Sequence, residues 1–289
     1  KLKNSFLGRV FQPFLEMYGL PAYNEKDPSL FMALTYCLFF GIMFGDLGQG
    51  LCLALIGLVL ARWKGMWLGG IITCCGLSGA LFGCVYGSVF GFEDILPGFK
   101  IMEETTFAGL GVVSNVLLLL VLSICLGVFM LLLVMVINIL NGIRQKNYEK
   151  ILFGPNGAAG IVFYAGLLTA AVSTLAFGVN LFTPAYVLPV LILPLVFMLL
   201  RAPLSHLLAK NPHWREFSVG EVLGTGFFEL FETLLSYLTN TLSFMRVGAY
   251  AITHVGLMLV VHMLAGLAGG VGGPAGILIL VLGNAFVMG

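Results

Sequence analysis

Ionisable side chains stand where such groups are costly. The long, largely apolar run between Val219 and Leu264 carries among others Glu229, Glu232, Arg246 and His254. An α-helix turns about 100° per residue. Measured from Arg246, this puts Thr239 at about 20°, Glu232 and Tyr250 at about 40°, Ser243 at about 60°, and Ser236 and His254 at about 80°, all to the same side. The polar groups share one stripe about 100° wide. Such a stripe cannot lie against lipid, so it faces protein or a water-filled cavity.

Arg246 has no acidic residue three or four positions away. Its guanidinium stays charged at any physiological pH, so it cannot relay a proton but can hold a fixed positive charge. Placed in a membrane-length run, it reads as a gate on an ion pathway. The competing reading is a structural cation satisfied by carbonyls or by an acid on another helix, and Asp46 is the candidate acid. Glu232 and His254 flank it along the helix, about 33 Å apart at 1.5 Å per residue. Each also has a plainer reading, Glu232 as a solvated glutamate and His254 as a core histidine. Asp46 is either part of the pathway or the residue of a hairpin turn. Glu229, Ser236, Ser243 and Tyr250 complete the candidate ion path. His206 and His213 read as ordinary loop residues.

The elements that position these groups are set by composition. Hydrophobic residues make up 60% of the 289, and charged residues only 9%. Soluble domains carry roughly 25% charged residues, so the solvent for this chain is lipid. The apolar runs predict an all-α, polytopic transmembrane bundle of about eight helices. The expected spans are 30–44, 47–61, 66–92, 109–140, 157–177, 186–200 and 219–264, with an eighth beginning near Gly276. The first two are short and flank Asp46, which predicts a tight hairpin, with one long helix as the alternative. Pro189 and Pro194 predict a kink in the sixth. The seventh is about twice the length needed to cross the hydrocarbon core, so it must tilt strongly or project from the membrane. Residues 1–29 read as a cytoplasmic or interfacial lead-in, and 30–289 as the membrane domain.

Charge placement supports eight spans. With the N-terminus cytoplasmic, the basic loops at Arg62/Lys64, Arg144/Lys146/Lys150 and Arg201/Lys210/Arg215 all fall inside. The opposite loops hold Glu93, Asp94, Glu103 and Glu104, with Lys100 as their cation. Gly79, Gly83, Gly87 and Gly91 recur every four residues and predict a ridge for close helix packing.

Other functions are excluded by what the sequence lacks. There is no G-x-x-x-x-G-K-[ST] phosphate loop, so the chain is not expected to hydrolyse ATP and is no enzyme on its own. No basic patch with interleaved aromatics points to nucleic acid. The six cysteines lie in apolar stretches without metal-ligand spacing and read as reduced thiols, so no cofactor or metal is expected. The chain begins Lys-Leu-Lys and stops within an apolar run, which reads as an excerpt of a longer protein.

Three stretches carry a family resemblance. The run Phe227-Phe-Glu-Leu-Phe-Glu-Thr-Leu-Leu-Ser-Tyr-Leu-Thr-Asn-Thr-Leu-Ser-Phe-Met-Arg246-Val-Gly-Ala-Tyr-Ala-Ile-Thr-His254 resembles the penultimate helix of the V/A-type rotary ATPase stator subunit. That subunit is called a in eukaryotes and I in bacteria and archaea. There a glutamate precedes the essential arginine by fourteen residues and a histidine follows it by eight, as Glu232 and His254 do here. Phe39-Phe-Gly-Ile-Met-Phe-Gly-Asp46-Leu-Gly-Gln-Gly50 is similar to the family's first hairpin, and Tyr18-Gly-Leu-Pro21 and Asp27-Pro28 to the approach to it. Leu126-Gly-Val, Asn138 and Asn141-Gly-Ile-Arg144 resemble its fourth span.

The chain departs from the family in places. The usual Ser-Tyr-Leu-Arg-Leu-Trp is replaced by Ser243-Phe-Met-Arg246-Val-Gly, which looks bacterial rather than eukaryotic. The family's later glutamate and second arginine lie past Asn284-Ala-Phe-Val-Met-Gly289.

The resemblance implies two ion half-channels beside a ring of small membrane subunits whose carboxylates carry H⁺ or Na⁺. It also implies a peripheral stalk and other rotary ATPase subunits as partners, and a bacterial or archaeal plasma membrane as the location. A secondary transporter with a midplane site is the alternative. Transporters of that kind repeat their broken helices in two halves, whereas the short hairpin occurs here once. A third reading is a non-conducting membrane scaffold.

Overall fold

A computed structural model describes residues 6–19, 28–63, 65–92, 97–99, 101, 104–107, 111–145, 151–177, 182–201, 219–270 and 272–288. Lys64, Glu93, Asp94, Lys100, Glu103, Lys146, Lys150, His206, Lys210, His213 and Arg215 lie outside the described residues. The described chain is helical apart from one short β-hairpin. Three helical runs are long and apolar enough to cross a membrane: Trp67–Tyr86, Asn115–Gln145 and Gly224–Leu267. Five shorter apolar helices accompany them. Together they follow the eight-segment order read from hydropathy.

The chain divides into two compact units. The first comprises Lys1–Ala22, Asp27–Ile124 and Phe244–Gly289, and the second Tyr23–Lys26 and Cys125–Ser243.

In the first unit, α1 (Phe6–Tyr18) is amphipathic. Its Phe11 is fully buried, and Leu7, Val10 and Phe14 pack with it against Ala33, Ile71 and Cys75. Arg9 and Glu16 remain exposed on its other side. Helices α2 (Ser29–Met43) and α3 (Leu47–Trp63) form the expected hairpin, broken at Phe44–Asp46. Helix α4 (Trp67–Tyr86) returns against α3 almost backbone to backbone. A Cβ on Gly57 would lie 2.6 Å from Thr73 N and 2.8 Å from Gly69 O, and one on Gly76 2.7 Å from Gly50 O.

The working ridge therefore repeats every seven residues, with Gly50 and Gly57 facing Gly76 and Gly69, and Gly83 continuing the series on α4. It is not the four-residue series expected from the sequence. Of that series, Gly83 meets the backbone of Asp46 and Leu47, while Gly79 faces Phe44 and Phe40 of the hairpin. Gly87 caps α4 in the left-handed region at φ 73°, and Gly91 has φ 76°. A seven-residue repeat keeps one seam facing an antiparallel partner; a strict four-residue one drifts around the helix.

The fourth span begins later than the hydropathy alone implies. Glu104–Phe107 (β1) pairs antiparallel with Gly111–Ser114 (β2), and α5 (Asn115–Gln145) starts only after them. Thr105, Thr106, Val112 and Val113 are β-branched, which favours strand over helix despite the apolar content.

The first unit ends with α10 (Met245–Leu267) and α11 (Pro274–Met288). Gly248 brings α10 close to α5, where a Cβ would lie 2.9 Å from Ser123 Oγ. Ala251 packs with Leu119 and Ile101.

The second unit contains α6 (Ala158–Phe177), α7 (Pro184–Val187), α8 (Leu193–Leu199) and α9 (Val219–Ser243). Between α7 and α8, Leu188–Ile192 forms a π-turn in which Leu193 N donates to Leu188 O. This is the expected proline kink, realised as a widened turn. Pro189 and Pro194 lack an N–H, and a proline ring clashes with the carbonyl four residues earlier. Its core joins Met135, Phe163, Tyr164 and Tyr237.

Seen as a whole, the polarity is that of a membrane protein. Leu55, Leu81, Leu122 and Phe129 are exposed, whereas Asp46 and Gln49 are fully buried. Lipid favours apolar surface outside and requires buried polar groups to find partners within.

Candidate functional site

In the second unit, α9 presents Glu229, Glu232 and Ser236 to one cavity of about 290 Å³. Thr233 and Tyr237 complete that face, and Asn156, Pro155, Met198 and Arg201 form the opposite wall. Tyr237 is buried and its hydroxyl donates to Pro155 O. Asn138 Nδ2 donates to Asn156 O at 3.1 Å, tying α5 to the same rim. Two carboxylates and a guanidinium thus share a polar hollow on a helix of membrane character. Its chemistry suits hydrated cations: the carboxylates attract them, and Arg201 limits the local negative charge. Sequence reasoning placed the two glutamates here but assigned no pathway role to Arg201, because nothing local links residue 201 to residue 232.

In the first unit, Arg246 is the second residue of α10, immediately after the break at Phe244. Arg246 and Tyr250 are exposed, as are Thr239 and Ser243 on α9. Phe244 packs on Phe39 of α2, with ring centroids 5.5 Å apart. His254 departs from the exposed stripe. It is buried, with its ring 4.6 Å from that of Phe44. It sits at the edge of the stripe, so packing against the hairpin carries it inside.

Asp46 is bonded at both of its carboxylate oxygens. Its Oδ1 accepts from Gln49 N and Phe90 N, each at 2.9 Å. Its Oδ2 accepts from Ser88 Oγ and Gly91 N, each at 2.7 Å. The carboxylate caps the start of α3 and sits in a nest formed by successive backbone N–H groups of the loop after α4. Phe90 adopts φ 50° to make that nest, a conformation costing roughly 1–2 kcal/mol for a residue with a Cβ. Asp46 lies in the hairpin turn, with both oxygens engaged by donors other than Arg246.

Residues 2–68 match the V-type ATPase 116kDa subunit family. Subunit I of the A-type ATP synthase from Aeropyrum pernix is 29% identical over 89% of this chain and 41% of its own length. The A-type ATP synthase subunit I of Pyrococcus horikoshii is 28% identical over 99% of this chain, again 41% of its own length. That alignment runs through the hairpin, the cavity and Arg246 alike. The chain is similar to subunit I of the A-type ATP synthases over nearly all of its length. A shorter match, 38% over 34% of this chain, joins it to 15% of the A-type ATP synthase subunit I of Archaeoglobus fulgidus. The chain thus spans about two fifths of the length of the Aeropyrum pernix and Pyrococcus horikoshii proteins.

Proposed function

We propose that this chain is the membrane part of a rotary ATPase stator, providing two ion half-channels beside a rotating ring of small subunits. One observation carries the reading: Arg246 stands exposed midway along the membrane-length apolar run Gly224–Leu267, in the stretch that resembles the family's penultimate helix. A guanidinium facing lipid costs at least about 2.5 kcal/mol on the most lenient scale. A moving partner that brings a carboxylate to that face removes the cost.

Arg246 attracts such a carboxylate and favours loss of its proton, yet cannot pass the proton on. It also bars a direct leak between the two access routes. The hollow around Glu229, Glu232 and Ser236 serves as the cytoplasmic route, and the region of His254 as the external one. ATP chemistry belongs to other subunits, and the ion is H⁺ or Na⁺. Each charge moved exchanges about 2.3 kcal/mol per 100 mV of membrane potential. The N-terminus lies in the cytoplasm, on the evidence of the basic loops.

Arg246→Gln tests the proposal. The variant is expected to insert and assemble but to lose coupled ion translocation in the reconstituted complex. Near-normal pumping would remove the gate.

A further inference from the structure

Within the first unit lies a set of polar groups that the exposed stripe does not include. His254, Met258 and His262 follow one another at four-residue spacing on the inner side of α10, the first two buried and the third half-buried. Gln49 Nε2 lies 3.1 Å from Met258 Sδ and donates to Asn284 Oδ1 at 2.7 Å. Gln49 is therefore held at the level between the two histidines, with α11 behind it. Phe92 meets His262 edge-on, with ring centroids 4.3 Å apart, and Gly91 leaves no room for a Cβ beside Met258 and His262.

The bonded atoms fix which atoms are left over. His262 Nδ1 lies 2.8 Å from Met258 O. A carbonyl only accepts, so Nδ1 carries the hydrogen and the neutral ring keeps an acceptor at Nε2. Nε2 of His262, Nε2 of His254 and Oε1 of Gln49 are all buried without a hydrogen-bond partner among the described residues. Each such atom destabilises the fold unless it is satisfied. Buried polar atoms left without a partner in this way are where buried water is held. Along the roughly 12 Å of helix from His254 to His262, water has a polar anchor at each end and one midway.

The same atoms discriminate between ions. Hard cations take oxygen ligands. Both Asp46 oxygens are occupied by four donors, and Asn284 Oδ1 is occupied by Gln49. What remains is two imidazole nitrogens and one amide oxygen, a poor cage for Na⁺. For protons the set is suitable. Each imidazole takes a proton at Nε2 from one water and returns that proton to the next, ending as it began. Among the described residues facing this seam, Asp46 is the one other titratable group; Phe44, Gln49, Asn284 and Phe92 are uncharged.

We propose that Gln49, His254 and His262 hold a water-filled path on the inner side of α10, that His262 is the relay group beyond His254, and that the path carries H⁺ and not Na⁺. This deepens the external route of the stator reading and rests on it. The test uses the complete rotary complex with the full-length protein in liposomes, reading ATP-driven acidification at several Na⁺ concentrations.

His262→Ala is expected to assemble and to lower acidification at least about tenfold, with added imidazole restoring most of it. His262→Gln, polar but unable to titrate, is expected to fail in the same way, and it carries the test if the alanine variant does not assemble. Near-normal acidification in an assembled variant overturns the proposal, as does a loss in His262→Ala that imidazole does not rescue. Failure of both variants to assemble, or transport that requires Na⁺, also overturns it. Arg246→Gln in the same series keeps the two readings apart. Pumping retained there removes the stator reading; pumping lost at Arg246 but kept at His262 removes only this path.

Discussion

Asp46 and Gly91 are 45 positions apart in the chain, and Gly91 N donates to Asp46 Oδ2 at 2.7 Å. That bond, with those from Ser88, Phe90 and Gln49, makes one buried carboxylate the joint between the α2–α3 hairpin and the loop after α4. Asp46→Ala would strand four donors without their acceptor. A loss of about 3 kcal/mol or more is expected, read as a lower thermal midpoint of the purified protein in detergent. Asp46→Asn, which keeps one acceptor oxygen, should lose less. An unchanged midpoint in the alanine variant would show that the carboxylate is not the joint.

The seam between α3 and α4 makes a steric prediction. A side chain at Gly57 would strike Thr73 N and Gly69 O, both backbone atoms that cannot move alone. Gly57→Leu should force the pair apart and cost about 1–3 kcal/mol. A leucine at Gly65, where a Cβ meets nothing, tests only the strain of its left-handed φ of 59°. The thermal midpoint of the purified protein in detergent should fall in Gly57→Leu, and an unchanged midpoint would show that the seam tolerates a side chain there.

Arg246→Lys distinguishes a planar, permanently charged group from a simple cation. Lysine can lose its proton when desolvated and presents no bidentate fork. Coupled transport in this variant should fall nearly as far as with glutamine. Full transport would mean that positive charge alone suffices at that position.

Glu232→Gln should slow transport rather than stop it, because water in the surrounding hollow can substitute for one relay group. A cysteine at Glu232 should react with reagents added from the cytoplasmic side. Reaction from the outer side alone would assign the hollow to the other route.

Topology can be checked with single cysteines. A probe at Glu103 is expected to label from outside and a probe at Lys146 only from within, since basic loops are retained in the cytoplasm. Outside labelling at Lys146 would overturn the assignment of sides.

The apolar runs, the break at Asp46, the proline kink and the polar stripe around Arg246 were legible in the sequence. Each depends on local composition or on the period of a single helix, and a window of twenty residues contains it. The hairpin Glu104–Ser114 was not legible as a strand pair, because hydropathy marks residues as apolar without saying which regular structure buries them. The glycine ridge was legible as a small-residue series but not in its true period, which depends on the helix that it faces.

The candidate site divides in the same way. Glu229, Glu232 and Ser236 could be placed together from helical spacing alone, as could the order of Glu232, Arg246 and His254 along the chain. The entry of Arg201 into the glutamate hollow could not be read that way, nor could the burial of His254 against Phe44, nor the link from Gln49 to Asn284 across 235 positions. His262 was detectable in principle, being two four-residue steps past His254, yet a histidine near the end of an apolar helix reads the same whether it faces lipid, protein or water. A sequence lists which groups a helix carries and on which side. Which side is buried, and which donors have already claimed an acceptor such as Asp46, is decided only when distant segments pack together, because hydrogen bonding and desolvation depend on neighbours in space.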